Sequence, residues 1–127
     1  MADTSQRRRI VVTGIGVVSP LGQGVDTFWQ NITSGQCGID SISSFDTEGY
    51  ACTIAGEVKD FDAAEAFPSP KEVRRTDRFA QFGIHAAWQA MNDSGLDLDK
   101  TNRDRVGSFI GSGIGGLATM ESQHSTL

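Results

Sequence analysis

The sequence predicts an α/β fold of which this chain holds only the front part, and three observations point to it. Two short apolar runs, residues 10–13 and 105–110, lack the alternation of a surface strand and suit buried parallel strands. A glycine-rich turn follows each run. The chain between the two runs contains segments whose apolar residues recur at helical spacing, as in the helices that connect parallel strands.

The first third of the chain predicts a strand, a turn and a short helix. Residues 1–6 are polar, and we expect them to fray. The β-branched run Ile10–Thr13 predicts a strand that ends at Gly14. A short helix ending at Gly35 is then predicted by four apolar residues at helical spacing: Val25, Phe28, Trp29 and Ile32.

The middle of the chain predicts a weaker strand, from Cys52 to Val58, and then two helical runs. Ser69 is a suitable helix cap, Pro70 suits the first helical position, and Glu72 is placed to complete a capping box. A longer helix is predicted over residues 77–94, with Gly95 as its end. It is apolar on most sides, which is typical of a buried helix.

The last part predicts a second strand over residues 105–110, a glycine-rich turn from Gly111 to Gly116, and a final helix. One face of that helix would carry Leu117, Met120, His124 and Leu127. Two good strands and one weak one are too few to form a covered sheet. We therefore expect residues 1–127 to be the N-terminal portion of a larger domain.

Composition excludes several classes of function. The chain has 127 residues, with 11 basic against 16 acidic side chains and a net charge of −5, which argues against nucleic acid as a partner. No apolar run approaches the length of a membrane span. The two cysteines fit a reducing compartment, and the arginines at 7–9 precede a strand pattern rather than a signal peptide. We expect a cytoplasmic protein.

The glycine-rich turn has two interpretations. Gly111, Gly113 and Gly116 form a G-x-G-x-x-G pattern between a strand and a helix, the context of a dinucleotide-binding turn. The acidic residue that should bind the ribose would lie beyond residue 127. Close packing, or a pocket that binds no phosphate, is the favoured interpretation.

No catalytic or metal-binding set is predicted within the chain. A nucleophilic cysteine needs a helix N-terminus, a histidine or a cation beside it, and neither Cys37 nor Cys52 has one in the sequence pattern. His85 and His124 are far apart and have no predicted partner. We expect both thiols to be inert and no metal site to form.

A basic cluster stands out in this acidic chain. Lys71, Arg74, Arg75 and Arg78 recur at helical spacing after Ser69, so they are predicted to share one helix face. The cluster is either ordinary surface charge or a docking patch for an acidic partner.

Four motifs, in this order and spacing, resemble the β-ketoacyl-acyl-carrier-protein synthases, and the resemblance covers residues 7–127. They are Arg8-Arg-Ile-Val-Val-Thr-Gly-Ile-Gly-Val-Val-Ser-Pro-Leu-Gly22, Ile54-Ala-Gly-Glu-Val-Lys-Asp-Phe61, Asp77-Arg-Phe-Ala-Gln-Phe82 and Ile110-Gly-Ser-Gly-Ile-Gly-Gly-Leu117. The isoleucine at position 114, within Gly-Ser-Gly-Ile-Gly-Gly, resembles the residue found there in the type II elongating enzymes of the family. The resemblance implies a thiolase-like fold, with helices on the faces of a mixed, mostly parallel sheet that this chain leaves incomplete.

The resemblance also implies an activity, a decarboxylating Claisen condensation of acyl and malonyl thioesters that needs no organic cofactor. The family's nucleophilic cysteine and two catalytic histidines would all fall after residue 127. Cys52 follows Tyr50-Ala51 in a superficially similar turn, but it lacks the Ser-Gly of the family's nucleophile turn. No catalytic residue is therefore assigned here, and the 127 residues alone are expected to be inactive.

Two sets of residues carry over from the family. Lys71, Arg74 and Arg75 match the patch that docks the acidic acyl carrier protein, and Gly113 and Ile114 match a turn beside the acyl pocket. The resemblance further implies a homodimer for the full-length enzyme. The remaining alternatives are a non-catalytic remnant or partner subunit that keeps the docking surface, and a fragment of a dinucleotide-binding oxidoreductase.

Overall fold

The computed structural model describes residues 8–127, and the predicted fraying of residues 1–6 lies outside them. Within this range, two short antiparallel strand pairs and four α-helices follow one another. The first pair joins β1 (Val18–Ser19) to β2 (Gly22–Gln23), with Val18 opposite Gln23. Helix α1 (Val25–Thr33) starts directly after it, and Gly35 follows with a positive φ of 77°, so the predicted short helix is confirmed.

The second strand pair joins β3 (Asp40–Ser41) to β4 (Ile54–Ala55), with Asp40 opposite Ala55. The strand predicted over residues 52–58 is thus much shorter in the structure. After Ala55 the backbone ladder is replaced by a side chain: the Glu57 carboxylate accepts hydrogen bonds from Ser43 N at 2.9 Å, Ser43 Oγ at 2.7 Å and Ser44 N at 3.0 Å.

Helices α2 (Pro70–Arg75) and α3 (Arg78–Ser94) follow a single 3₁₀ turn at Ala64–Ala66. Both helices start and end near the predicted positions, and Gly95 ends α3 with a φ of 63°. The predicted capping box is wrong. The Ser69 side chain makes no cap hydrogen bond, and the Glu72 N–H instead donates to the Ser69 backbone oxygen at 3.1 Å.

Residues 10–17, the first apolar segment, lie against α3 through two glycines. A methyl group at Gly14 would overlap the Ala90 carbonyl oxygen, and one at Gly16 would overlap that of Ala86. The step from Gly14 to Gly16 thus covers the same distance as the four residues from Ala86 to Ala90, about 6 Å. A rise of about 3 Å per residue is that of an extended chain. Ile15 N and Val17 N donate to Asp93 and Gln89 of α3 at 2.9 and 2.8 Å, so α3 occupies one edge of the segment.

Residues 106–112, the second apolar segment, follow the 3₁₀ turn Arg103–Arg105 and lie along the same helix in the same direction. Residues 106–108 share a cavity of about 590 Å³ with residues 13–14, and residues 110–112 share one of about 640 Å³ with residues 16–18. Residues of α3 form the floor of both cavities.

No ladder joins the two segments anywhere in residues 8–127, so the strands predicted over residues 10–13 and 105–110 are not formed within this part of the chain. The reason is that the two segments do not lie within hydrogen-bonding distance of each other. The two cavities lie between them, and Ile10 and Phe109 are 95% and 102% exposed.

Few side chains of the described range are buried. Ala63 is 3% exposed and His85 is 5% exposed, and His85 lies in an aromatic group with Phe61 and Trp88. The prediction that α3 is buried on most sides is wrong within the described range, since Phe79 of α3 remains 44% exposed. The last helix, α4 (Leu117–His124), is present as predicted, although its apolar face is exposed and Leu127 lies beyond its end.

Candidate docking helix and pocket loop

Helix α2 presents three cations to solvent. Lys71, Arg74 and Arg75 are all exposed, and the two arginines lie in the last turn, where they interact favourably with the helix dipole. The ion pairs within residues 8–127 join Lys59 to Asp40, Lys100 to Asp97 and Arg103 to Asp99, and none of them uses an α2 residue. The three side chains are thus available to an external anionic partner.

Arg78 does not belong to this surface, which corrects the prediction of a common face for all four cations. Thr76 is extended, with φ −109° and ψ 128°, and ends α2. Arg78 starts α3, donates a hydrogen bond to the Val58 carbonyl oxygen at 2.6 Å and lies over the rings of Phe61 and Phe82. It joins the 54–61 segment to α3, so its charge has a structural partner.

The glycine-rich turn forms a loop over the start of α3. Ile114 borders a cavity of about 230 Å³ together with Phe79 and Leu117. Gly113 has open space where a side chain would project, and Gly116 adopts a φ of 72°, a left-handed conformation that favours glycine. The structure thus places Gly113 and Ile114 in one exposed loop next to an apolar cavity.

This loop and the end of helix α2 meet at Asp77. The Asp77 carboxylate accepts a hydrogen bond from the Thr119 hydroxyl in the first turn of α4, and Asp77 follows Arg75 by two residues. Asp77 and Phe79 both lie in the Asp-Arg-Phe motif of the sequence, which had no role assigned from sequence. Their spacing at the start of a helix gives no sign of a contact made more than thirty residues later.

The two cysteines lie away from any histidine partner in the hydrogen-bond network of residues 8–127. Cys37 and Cys52 are exposed, and their thiols contact the backbone oxygens of Ile39 and Ile54 at 3.7 and 3.4 Å. Within the same residues, no three Asp, Glu, His or Cys side chains are grouped in a way that could hold a metal ion. No helix of this part of the chain is both long enough and apolar enough to cross a membrane.

The sequence profile of the family described as "Beta-ketoacyl synthase, N-terminal domain" matches residues 7–127. The chain belongs to the β-ketoacyl synthase family. This confirms the family to which the four motifs point.

The relatives of this β-ketoacyl synthase chain carry one recurrent name. It is 46% identical over 123 residues to "3-oxoacyl-[acyl-carrier-protein] synthase 2" of Staphylococcus aureus (strain COL), a match that covers 97% of this chain and 30% of the relative. It is 48% identical over 121 residues to the protein of the same name from Vibrio harveyi, covering 95% of the chain and 29% of the relative. The chain therefore spans less than a third of the length of these relatives.

Solved ketosynthases show the same fold over the matched part. The ishigamide ketosynthase/chain length factor matches with a TM-score of 0.66 and 37% identity, over 73% of this chain and 23% of the other. A chain of the solved structure described as a type II PKS acyl-carrier protein in complex with its ketosynthase bound to the hexaketide also matches. The TM-score is 0.57 and the identity 32%, over 76% of this chain and 21% of the other.

Proposed function

We propose that residues 1–127 are the N-terminal portion of a 3-oxoacyl-acyl-carrier-protein synthase. This acyltransferase elongates fatty acids by decarboxylating Claisen condensation of acyl and malonyl thioesters. The observation that carries the proposal is the 46–48% identity, over almost the whole chain, to relatives of that name. The nucleophilic cysteine and the two histidines of the reaction are then contributed by sequence outside these 127 residues.

In this proposal, α2 docks the acyl carrier protein that holds the acyl and malonyl groups. The support is the trio of exposed cations Lys71, Arg74 and Arg75, which form no ion pair within residues 8–127, in a chain of net charge −5. Separated charges of this kind steer an anionic partner into the right orientation. The solved complex of a related ketosynthase with its acyl-carrier protein adds support for this class of partner.

Gly113 and Ile114 border the acyl pocket in the same proposal. Gly113 leaves open space, and the apolar Ile114 side chain lies beside a cavity with Phe79 and Leu117. An acyl chain is apolar, and such a wall would favour its burial while limiting its length.

The remaining parts of the proposal concern the whole enzyme. The two apolar segments lie along α3 and run in the same direction as each other. In the whole enzyme they become strands of a mixed, mostly parallel sheet with helices on its faces. The enzyme acts as a cytoplasmic homodimer and uses no organic cofactor. Residues 1–127 are the N-terminal portion of its β-ketoacyl synthase N-terminal domain.

The test compares the full-length gene product with the 127-residue chain, using acyl and malonyl carrier-protein thioesters and detecting the 3-oxoacyl product. We expect condensation by the full-length protein and none by the 127 residues alone, because the latter contain no placed nucleophile or base. Turnover by the short chain that Cys52→Ser abolishes would contradict this assignment of that thiol.

The second candidate is a non-catalytic partner subunit that retains the docking surface. It is favoured by one observation, the structural match to an assembly whose name couples a ketosynthase with a chain length factor. The sequence downstream of codon 127 separates the two candidates. A cysteine turn and two histidines there support the synthase, whereas their replacement supports the partner subunit.

A further inference from the structure

The Asp77 side chain serves a neighbouring helix instead of its own. Asp77 is the N-cap residue of α3, a position where a carboxylate ordinarily accepts a hydrogen bond from the first turn of the same helix. It makes no such bond. Its Oδ1 accepts the hydrogen bond from the Thr119 hydroxyl, so the carboxylate is directed to the first turn of α4.

The glycine-rich loop approaches the same residue closely. A methyl group at Gly116 would lie 2.8 Å from Asp77 Oδ2, and one at Gly115 would overlap the Phe79 ring. The loop therefore lies against the N-cap and the first turn of α3 through residues that have no side chain. This contact lies one residue after Ile114.

A loop of this composition needs an external attachment. Gly111, Gly113, Gly115 and Gly116 surround Ile114, and each glycine adds backbone conformations that a side chain would forbid. Hydrogen bonds that involve an ionised carboxylate are about twice as strong as neutral ones, and an anion beside a helix N-terminus is favourable. The Asp77–Thr119 bond therefore attaches the end of the loop through a carboxylate hydrogen bond and places that carboxylate beside the N-terminus of α4.

We propose that Asp77 is a positioning residue for Ile114 and thereby determines which acyl chain lengths the pocket accepts. This rests on the proposed function. Asp77 touches no reacting group in the proposal. It fixes the start of α4, and through the short link to residue 116 it fixes where the Ile114 side chain stands beside the cavity that it shares with Phe79.

The test uses four single variants of the full-length protein and the double variant Asp77→Ala/Thr119→Val. Asp77→Ala and Thr119→Val each remove one partner of the hydrogen bond, and Asp77→Asn keeps an oxygen that accepts from Thr119. Asp26→Ala is the control, because Asp26 is an acidic residue at the start of a different helix, α1, and contributes nothing to the walls of the cavity beside Ile114. The readouts are kcat/KM for palmitoyl- and hexanoyl-carrier protein, and amide hydrogen exchange in residues 120–124, whose N–H groups are bonded within α4.

We expect Asp77→Ala and Thr119→Val to change the palmitoyl to hexanoyl ratio of kcat/KM on the order of tenfold, and the double variant to change it no further. Asp77→Asn and Asp26→Ala should keep the wild-type ratio. Exchange in residues 120–124 should accelerate in Asp77→Ala, in Thr119→Val and in their double variant, and not in Asp77→Asn or Asp26→Ala.

An unchanged ratio in an active Asp77→Ala enzyme, or an equal loss for both substrates, overturns the proposal. Equal loss would mean that Asp77 acts only on folding. A wild-type protein that condenses neither substrate overturns the proposed function instead, and exchange that still depends on Asp77 would then show that the attachment exists without that role.

Discussion

At the scale of single residues, Glu57 shows how one side chain can continue a strand pair. Hydrogen bonds from Ser44 and Ser43 lower the pKa of the Glu57 carboxyl from 4.5 to about 2. The bonds are made to the charged form, so protonation of Glu57 weakens the link between residues 43–44 and the end of β4. Since its pKa is lowered by folding, Glu57 stabilises the fold above pH 4.5, and this contribution is lost as the pH falls toward 2.

The Glu57 pKa is directly measurable. We expect NMR titration of the Glu57 side-chain carboxyl carbon to give a midpoint near 2, and Ser43→Ala to move the midpoint toward 4.5, because it removes the hydroxyl donor at 2.7 Å. Glu48 in the same spectrum is the control, since it accepts none of these hydrogen bonds. A Glu57 midpoint that Ser43→Ala leaves in place would contradict the hydrogen-bond origin of the shift.

Gly16 is the second residue on which a measurable property depends. Gly16→Ala would place a methyl group against the backbone of α3 at Ala86, so we expect the free energy of unfolding of the full-length protein to fall by about 1–3 kcal/mol or more. Gly107→Ala is the matched control, because a methyl group there meets open space and the φ of Gly107 is not positive. Urea denaturation measures both, and equal midpoints would show that the first segment does not rest on α3.

At the scale of elements, the helices were predictable from sequence and the strands were not. Helices α1 and α3 are encoded locally, by apolar spacing and by the glycines at 35 and 95 that end them. A strand needs a partner, and the runs at 10–13 and 105–110 find none within residues 8–127. The spacing of the basic residues predicts Arg78 on the wrong face, because it treats residues 71–78 as one continuous helix. The extended Thr76 ends α2 before Arg78, and the pattern of basic residues does not reveal that break.

Helix α2 is the element on which the docking proposal depends. We expect Lys71→Glu/Arg74→Glu/Arg75→Glu, in the full-length protein, to raise the KM for carrier-bound substrates strongly at low salt and less at high salt. The reason is that charges at the rim of an interface act on association and are screened over about 8 Å at physiological ionic strength. Condensation of small thioesters without a carrier should be nearly unchanged, and steady-state kinetics at two salt concentrations measures both effects.

A second triple variant controls for net charge. Arg8→Glu/Arg9→Glu/Arg105→Glu makes the same charge change at exposed positions that are distant in sequence from α2 and form no ion pair within residues 8–127, and it should leave the KM for the carrier near the wild-type value. Equal losses with carrier-bound and small thioesters in the α2 variant would indicate damage to the fold. The same rise in KM for carrier-bound substrates in both triple variants would show that overall charge, and not a docking surface on α2, causes the effect.

At the scale of the whole molecule, the described residues form an open arrangement around α3. Their buried side chains are Ala63 and His85, while Ile10, Phe109 and Ile110 remain largely exposed. So little burial cannot support the cooperative unfolding of an ordinary domain.

We therefore expect the isolated 127-residue chain to melt broadly or to associate through its unpaired segments. Differential scanning calorimetry and analytical ultracentrifugation measure the two properties. A sharp two-state transition of a monomer would contradict the openness of the structure. Association that Phe109→Ser reduces would identify the second apolar segment as one of the contacts.

The candidate site divides in the same way between what sequence could and could not predict. The exposed position of Lys71, Arg74 and Arg75 followed from a local helix pattern. The contact of Asp77 with Thr119 joins residues 42 apart, and no local rule encodes it. The cavity beside Ile114 depends on the same long-range contact, since its walls come from α3 and from the loop before α4.

The space between the two apolar segments has a consequence for the chain as it leaves the ribosome. Until later sequence covers residues 10–12 and 109–110, these residues display the kind of apolar, unpaired backbone that molecular chaperones bind and that proteases cleave. For the longer synthase proposed above, we therefore expect a stage of synthesis at which a nascent chain of this length exposes these residues to cellular quality control. A messenger RNA truncated at codon 127 would yield a short-lived product, and its steady-state level would report the load on that system.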